Sequence, residues 1–99
     1  MRSKKQLLWW LFSGTRGGYN RALMVLSLQD EPKNAHQLAL GLKLDYKTVR
    51  HHLSVLEKNG LVTSSGNGYG NCYFLRDFCE DEWETITHIY KKMGLVENK

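Results

Sequence analysis

The sequence predicts a mainly α domain with a small β-hairpin, and two observations carry that prediction. Residues 34–59 hold two short apolar-periodic segments, each opened by a capping residue and joined by the three-residue link Lys43, Leu44 and Asp45. Residues 61–75 then hold two short β-prone runs around a glycine-rich tip, Ser65 to Asn71. Helix, turn, helix and hairpin in that order make a winged helix-turn-helix, flanked here by an apolar segment at each end of the chain.

The N-terminal segment, residues 1–14, contains KKQLLWWLFS and reads as a short helix. Arg2, Lys4 and Lys5 precede its apolar run Leu7 to Phe12, which resembles the start of a targeting signal. That run has six residues, against the roughly 20 needed to cross a bilayer. No small-x-small cleavage pattern follows it, so a cytoplasmic location is expected. Such an apolar surface needs cover, from the domain's own core or from a second subunit. An interfacial membrane anchor is the third option.

Gly14, Gly17 and Gly18 separate this piece from a helix over residues 19–29, where Tyr19, Ala22, Leu23 and Leu26 form the expected inward stripe. Pro32 ends it, because proline has no amide hydrogen to continue a helix. Asn34 and Gln37 have the spacing of a capping box, opening a helix from Ala35 to Leu42 with Leu38, Ala39 and Leu42 on one face. Asp45 can cap the next helix, Tyr46 to Asn59, whose Val49, Leu53 and Leu56 point inward. Gly60 supplies the left-handed residue that commonly closes a helix. Leu61 to Ser64 and Cys72 to Leu75 are the predicted strands. A last helix is predicted over 77–94, with Asp77 and Glu80 spaced as another capping box. Asp81, Glu82 and Glu84 near its start and Lys91 and Lys92 near its end favour the helix dipole. Its apolar stripe is Trp83, Ile86, Tyr90 and Met93, with Ile89 alongside.

With 99 residues, the chain is expected to form one domain, with 19–76 as the winged core between the two terminal helices. The net charge of +4 is unevenly spread: +3 over residues 1–32, +4 over 33–76 and −3 over 77–99. The basic share falls on the helix-turn-helix and hairpin, as expected of a surface that meets nucleic acid.

The helix from Tyr46 to Asn59 has a second face, formed by Tyr46, Lys47, Arg50, His51, Ser54 and Lys58. An α-helix fits the major groove, where arginine can donate two hydrogen bonds to guanine, so Arg50 is the leading candidate for a base contact. Tyr46, Lys47, Thr48 and Lys58 are candidates for phosphate contacts, which fix register without reading sequence. The competing reading is that any amphipathic surface helix carries such a polar face. The hairpin that follows favours the first reading.

The run TVRHHLSVLEKNGLV, followed by a glycine-rich loop and YFL, is similar to the ArsR-like winged-helix transcriptional regulators. The pattern V-x-x-H-L-x-x-L-x-x-x-G-L-V stands at Val49 to Val62, and the resemblance covers roughly Tyr19 to Leu75. It implies a homodimeric regulator that binds double-stranded DNA, with a recognition helix starting near Tyr46 and terminal helices building the dimer interface. Two departures matter. Metal-sensing members often carry Cys-x-Cys on the first helix of the helix-turn-helix, where this chain has HQLALGLKL. The tip SSGNGYGN also lacks the arginine or lysine of many family wings, leaving Asn67, Tyr69, Asn71 and backbone amides as its DNA contacts. The glycines equally suit a tight hairpin with no ligand.

Both terminal stripes are assigned to a dimer interface: Leu7, Leu8, Trp9, Trp10 and Leu11 at one end, and Trp83, Ile86, Ile89, Tyr90 and Met93 at the other. The alternative is that each stripe covers its own subunit's core. A two-fold dimer would present two recognition helices to successive half-sites.

No cofactor and no metal are expected. Cys72 and Cys79 are seven residues apart, and His36, His51, His52 and His88 are dispersed, which makes no zinc pattern. His52 falls on the inward side as a hydrogen-bonded packing residue. Cys79, Glu80, Asp81 and His88 leave open an intersubunit metal site, and Cys79 near a helix start leaves open a redox-responsive thiolate. No phosphate-binding loop and no nucleophile with a base and its orienter are present, so an enzyme is not expected. The rival to a DNA-binding regulator is a winged-helix protein-interaction module without specific DNA binding, since the fold serves both uses. Neither the operator nor an effector is visible in the sequence.

Overall fold

The computed structural model describes residues 3–66 and 71–97. Its elements are α1 (Lys4–Ser13), α2 (Gly18–Asp30), β1 (Lys33–Asn34), α3 (Ala35–Leu42), α4 (Tyr46–Lys58), β2 (Val62–Ser64), β3 (Cys72–Leu75), α5 (Asp77–Asp81) and α6 (Trp83–Met93).

Local chemistry sets most of the boundaries. At the start of α3, the Asn34 side chain accepts from the Gln37 amide at 2.8 Å and the Gln37 side chain accepts from the Asn34 amide at 2.8 Å. Asp45 Oδ2 accepts from the Lys47 and Thr48 amides at 3.0 and 3.3 Å and opens α4. Gly60, at φ 83°, takes the left-handed position after it. A second capping box, Ser3 with Gln6, opens α1 and was not anticipated from the sequence. The turn between α3 and α4 is closed by Lys43 in the left-handed region, φ 57°, an uncommon state for a residue with a β-carbon.

The sheet has three strands in the order β1-β3-β2, all antiparallel. Only the hairpin was legible, because β1 is two residues long and pairs across a large sequence separation, Lys33 with Tyr73 and Asn34 with Cys72. The first hairpin strand begins at Val62 rather than Leu61, whose amide donates to Leu56 O at 3.0 Å and finishes the helix instead.

Two further expectations are corrected. The C-terminal helix is two helices, broken at Glu82. The residue before α5 is Arg76 and makes no side-chain cap, so Asp77 and Glu80 do not form a capping box. They lie in the first turn of α5, where their charge still favours the dipole. The inward stripe of α2 is also rotated. Tyr19 is 54% exposed and Leu23 and Leu26 are half-buried, whereas Ala22, Met24, Val25, Leu28 and the polar Arg21 are buried.

The terminal helices close one end of the core. Leu8, Leu11 and Phe12 of α1 are buried, as are Ile86, Ile89 and Tyr90 of α6. The Phe12 and Tyr90 rings meet edge to face at 5.4 Å, and Trp83 meets Tyr90 at 6.4 Å. Leu8, Leu11, Ile86, Ile89 and Tyr90, assigned above to a dimer interface, are instead buried in this chain's own core. Leu7, Trp9, Trp83 and Met93 are half-buried at the margin of this packing, and Trp10 remains 37% exposed. No described helix is long and apolar enough to cross a membrane.

Cys79 sits within this core, and its thiol donates to Leu61 O at 3.3 Å. Burial raises its pKa to about 11, against a smaller lowering by the Arg76 backbone. The thiol stays protonated at neutral pH, which corrects the redox-responsive reading.

Candidate nucleic-acid interface

The helix α4 is held from behind by Val49, Leu53 and Leu56, all at most 1% exposed. That burial fixes the rotation of the helix and turns Lys47, Arg50, His51, Ser54 and Lys58 outward, all exposed, with Tyr46 41% exposed at its start. Thr48 is half-buried, with its amide bonded to Asp45. The outward surface thus has two lysines and an arginine on one helix.

Two contacts were not legible in the sequence. His36, in the first turn of α3, stacks on Tyr46 with ring centroids 4.4 Å apart and planes at 22°. This joins the starts of the two helices of the helix-turn-helix. Arg50 Nη1 donates to Tyr73 Oη on β3 at 3.1 Å. The pair lies 23 residues apart in sequence, and no local pattern signals it.

The base of the wing is tied by side chains. Asn71 Oδ1 accepts from Ser65 Oγ at 3.1 Å and from the Gly66 amide at 2.9 Å, while Ser65 Oγ accepts from the Cys72 amide at 3.1 Å. Asn71 therefore has a structural task in the hairpin. Asn67 and Tyr69, the other expected wing contacts, lie outside the described residues.

The inward face of α4 carries one polar residue. His52 is 6% exposed and its Nδ1 accepts from Arg21 Nη1 at 3.3 Å. Arg21, 5% exposed, also donates through Nε to Leu11 O at 2.9 Å and through Nη2 to Thr15 Oγ1. This buried cluster links α4 to α2 and to the loop after α1. Because a guanidinium only donates, Nδ1 of His52 must be unprotonated. Burial lowers the His52 pKa from the ordinary 6.5, with further lowering from the Arg21 charge and then from His51.

The sign of the resulting pH dependence follows. The unfolded chain takes up a proton at His52 before the folded one does, so stability is full above about pH 6.5 and falls as pH drops through the folded-state value. His52→Asn keeps an acceptor but cannot be protonated. Urea unfolding between pH 7.5 and 5 should show a smaller loss for this variant than for the parent, and equal losses would refute the assignment.

Among the described residues, no group of three or more His, Cys, Asp or Glu side chains is arranged to hold a metal ion. Cys79 is buried on α5, whereas His88 is exposed on α6 with its ring 6.0 Å from that of Trp9. A comparison with curated proteins finds no match. Residues 19–64, from the first turn of α2 to the end of β2, match the family model of the bacterial regulatory protein, arsR family, and this match, with the order of helices and strands, is consistent with an ArsR-like winged helix-turn-helix of the kind found in DNA-binding transcriptional regulators.

Proposed function

We propose that the protein is a homodimeric, sequence-specific regulator that reads double-stranded DNA by placing residues 46–59 in the major groove. The observation that carries this reading is the division of α4 into a closed apolar face and an exposed face bearing Lys47, Arg50, His51, Ser54 and Lys58. Arg50 meets a base edge, while Tyr46, Lys47, Thr48 and Lys58 meet phosphates. Leu7, Trp9, Trp10, Trp83 and Met93 supply the dimer contact, since they keep surface outside the subunit's own core. Two-fold pairing sets the recognition helices about 34 Å apart, one turn of duplex. Bound protein then blocks or assists transcription initiation in the cytoplasm.

Selection of bound fragments from a random duplex library at physiological salt tests this reading, because weak nonspecific binding is suppressed there. An enriched two-fold motif is the expected outcome. Arg50→Ala should flatten one base preference in each half-site and cost about 1–3 kcal/mol in binding. A folded protein that enriches no motif would favour the protein-interaction module instead. Leu40, 84% exposed on the outer side of α3, is the observation on which that second reading rests.

A further inference from the structure

We infer that Tyr73 is a positioning residue for base recognition: its phenol oxygen holds the Arg50 guanidinium, so that discrimination at the base pair read by Arg50 depends on the wing strand. The inference rests on the proposed reading of Arg50 as a base contact.

The two ends of the contact differ in freedom. Arg50 is an exposed residue of α4, on a long side chain with many rotamers. Tyr73 is 5% exposed and stands on the central strand, paired with Lys33 of β1 on one side and Ser64 of β2 on the other. The phenol is thus the fixed partner and the guanidinium the movable one. Their bond, Nη1 to Oη at 3.1 Å, ties one edge of the planar group to the sheet.

Guanine is read by two parallel N–H donors lying in one plane. A guanidinium carries five such donors, so the bond to Tyr73 occupies one and leaves the others for a base. What the bond removes is rotation of the plane about the end of the side chain. An arginine held this way presents its remaining donors in fewer orientations, which sharpens selection between bases more than it raises overall affinity. The hairpin then affects sequence choice even though its tip carries no arginine or lysine.

Tyr73→Phe tests this, because it keeps the buried ring and deletes only Oη. Binding-site selection and salt titration are run on the full-length parent, Tyr73→Phe, Arg50→Ala and the double variant, with thermal unfolding of each. Tyr73→Phe should lose about 2- to 10-fold of discrimination, the range for one net hydrogen bond, and only at the base pair that Arg50→Ala flattens. Its salt slope should match the parent, and the double variant should equal Arg50→Ala alone. A Tyr73→Phe profile identical to the parent overturns the inference and leaves the base contact of Arg50 standing. So does a uniform loss at all base pairs that tracks a lower thermal midpoint, since that marks a merely structural phenol. A parent that selects no motif overturns the DNA reading and this inference with it.

Discussion

Replacing Phe12 by alanine is expected to cost about 3–5 kcal/mol of folding stability, the range for emptying an aromatic site in a closed core. Phe12 is 1% exposed and packs edge to face on Tyr90, which is equally enclosed. The lost ring has no mobile neighbour to replace it, because Leu8, Leu11, Ile86 and Ile89 are fully buried in the same cluster. Urea unfolding of parent and variant measures the loss. A change below about 1 kcal/mol, well under the range for such a site, would mean that α1 does not dock on α6 as described. Where the variant still folds, its DNA preference should be unchanged, since Phe12 is buried and is none of the candidate DNA-contacting residues.

Gly18→Ala is the second large effect, for a different reason. A β-carbon at Gly18 would stand 2.3 Å from the Phe12 carbonyl oxygen and 2.5 Å from its carbon. Both are backbone atoms, so no side-chain rotation relieves the clash, and the first turn of α2 must move away from the end of α1. Overpacking of this kind costs about 1–3 kcal/mol. Gly41 provides the control inside the same domain. Nothing lies within 4 Å of its would-be β-carbon, so Gly41→Ala should stabilise by roughly 0.5–1 kcal/mol, the helix-interior advantage of alanine. Comparable unfolding midpoints for the two variants would contradict the close approach of α1 and α2.

What could be read from the sequence was what local chemistry decides. Asn34 with Gln37, Asp45 and Gly60 act within one helical turn, and each falls where its residue type and spacing place it. The spacing of Val49, Leu53 and Leu56 likewise fixed both faces of α4. What stayed hidden depends on residues far apart in the chain. Strand β1 exists only because β3 lies beside it. The rotation of α2 follows from burial of Arg21, a residue that periodicity assigns to the surface. Arg21 is accepted inside because a backbone carbonyl, a hydroxyl and an imidazole receive its donors. The terminal stripes were recognisable as surfaces needing cover, but a stripe does not say whether its cover is the same chain. Here most of that cover is intramolecular. In the candidate interface, the exposed side chains of α4 were legible, whereas His36 on Tyr46 and Tyr73 on Arg50 required the fold.

Asn34 ends one element and begins the next with no residue between them. Its backbone pairs with Cys72 in the sheet, while its side chain caps α3. The chain therefore has no slack at this junction. An extra residue at the junction would have to displace the strand register, the cap or both, and a deletion would do the same. A change of chain length at this junction is therefore expected to cost more than one in a surface loop whose backbone is not held by both a strand and a cap. A designer exchanging wings between proteins of this shape would keep the join at residues 33–35 intact and make the graft at the far end of the hairpin.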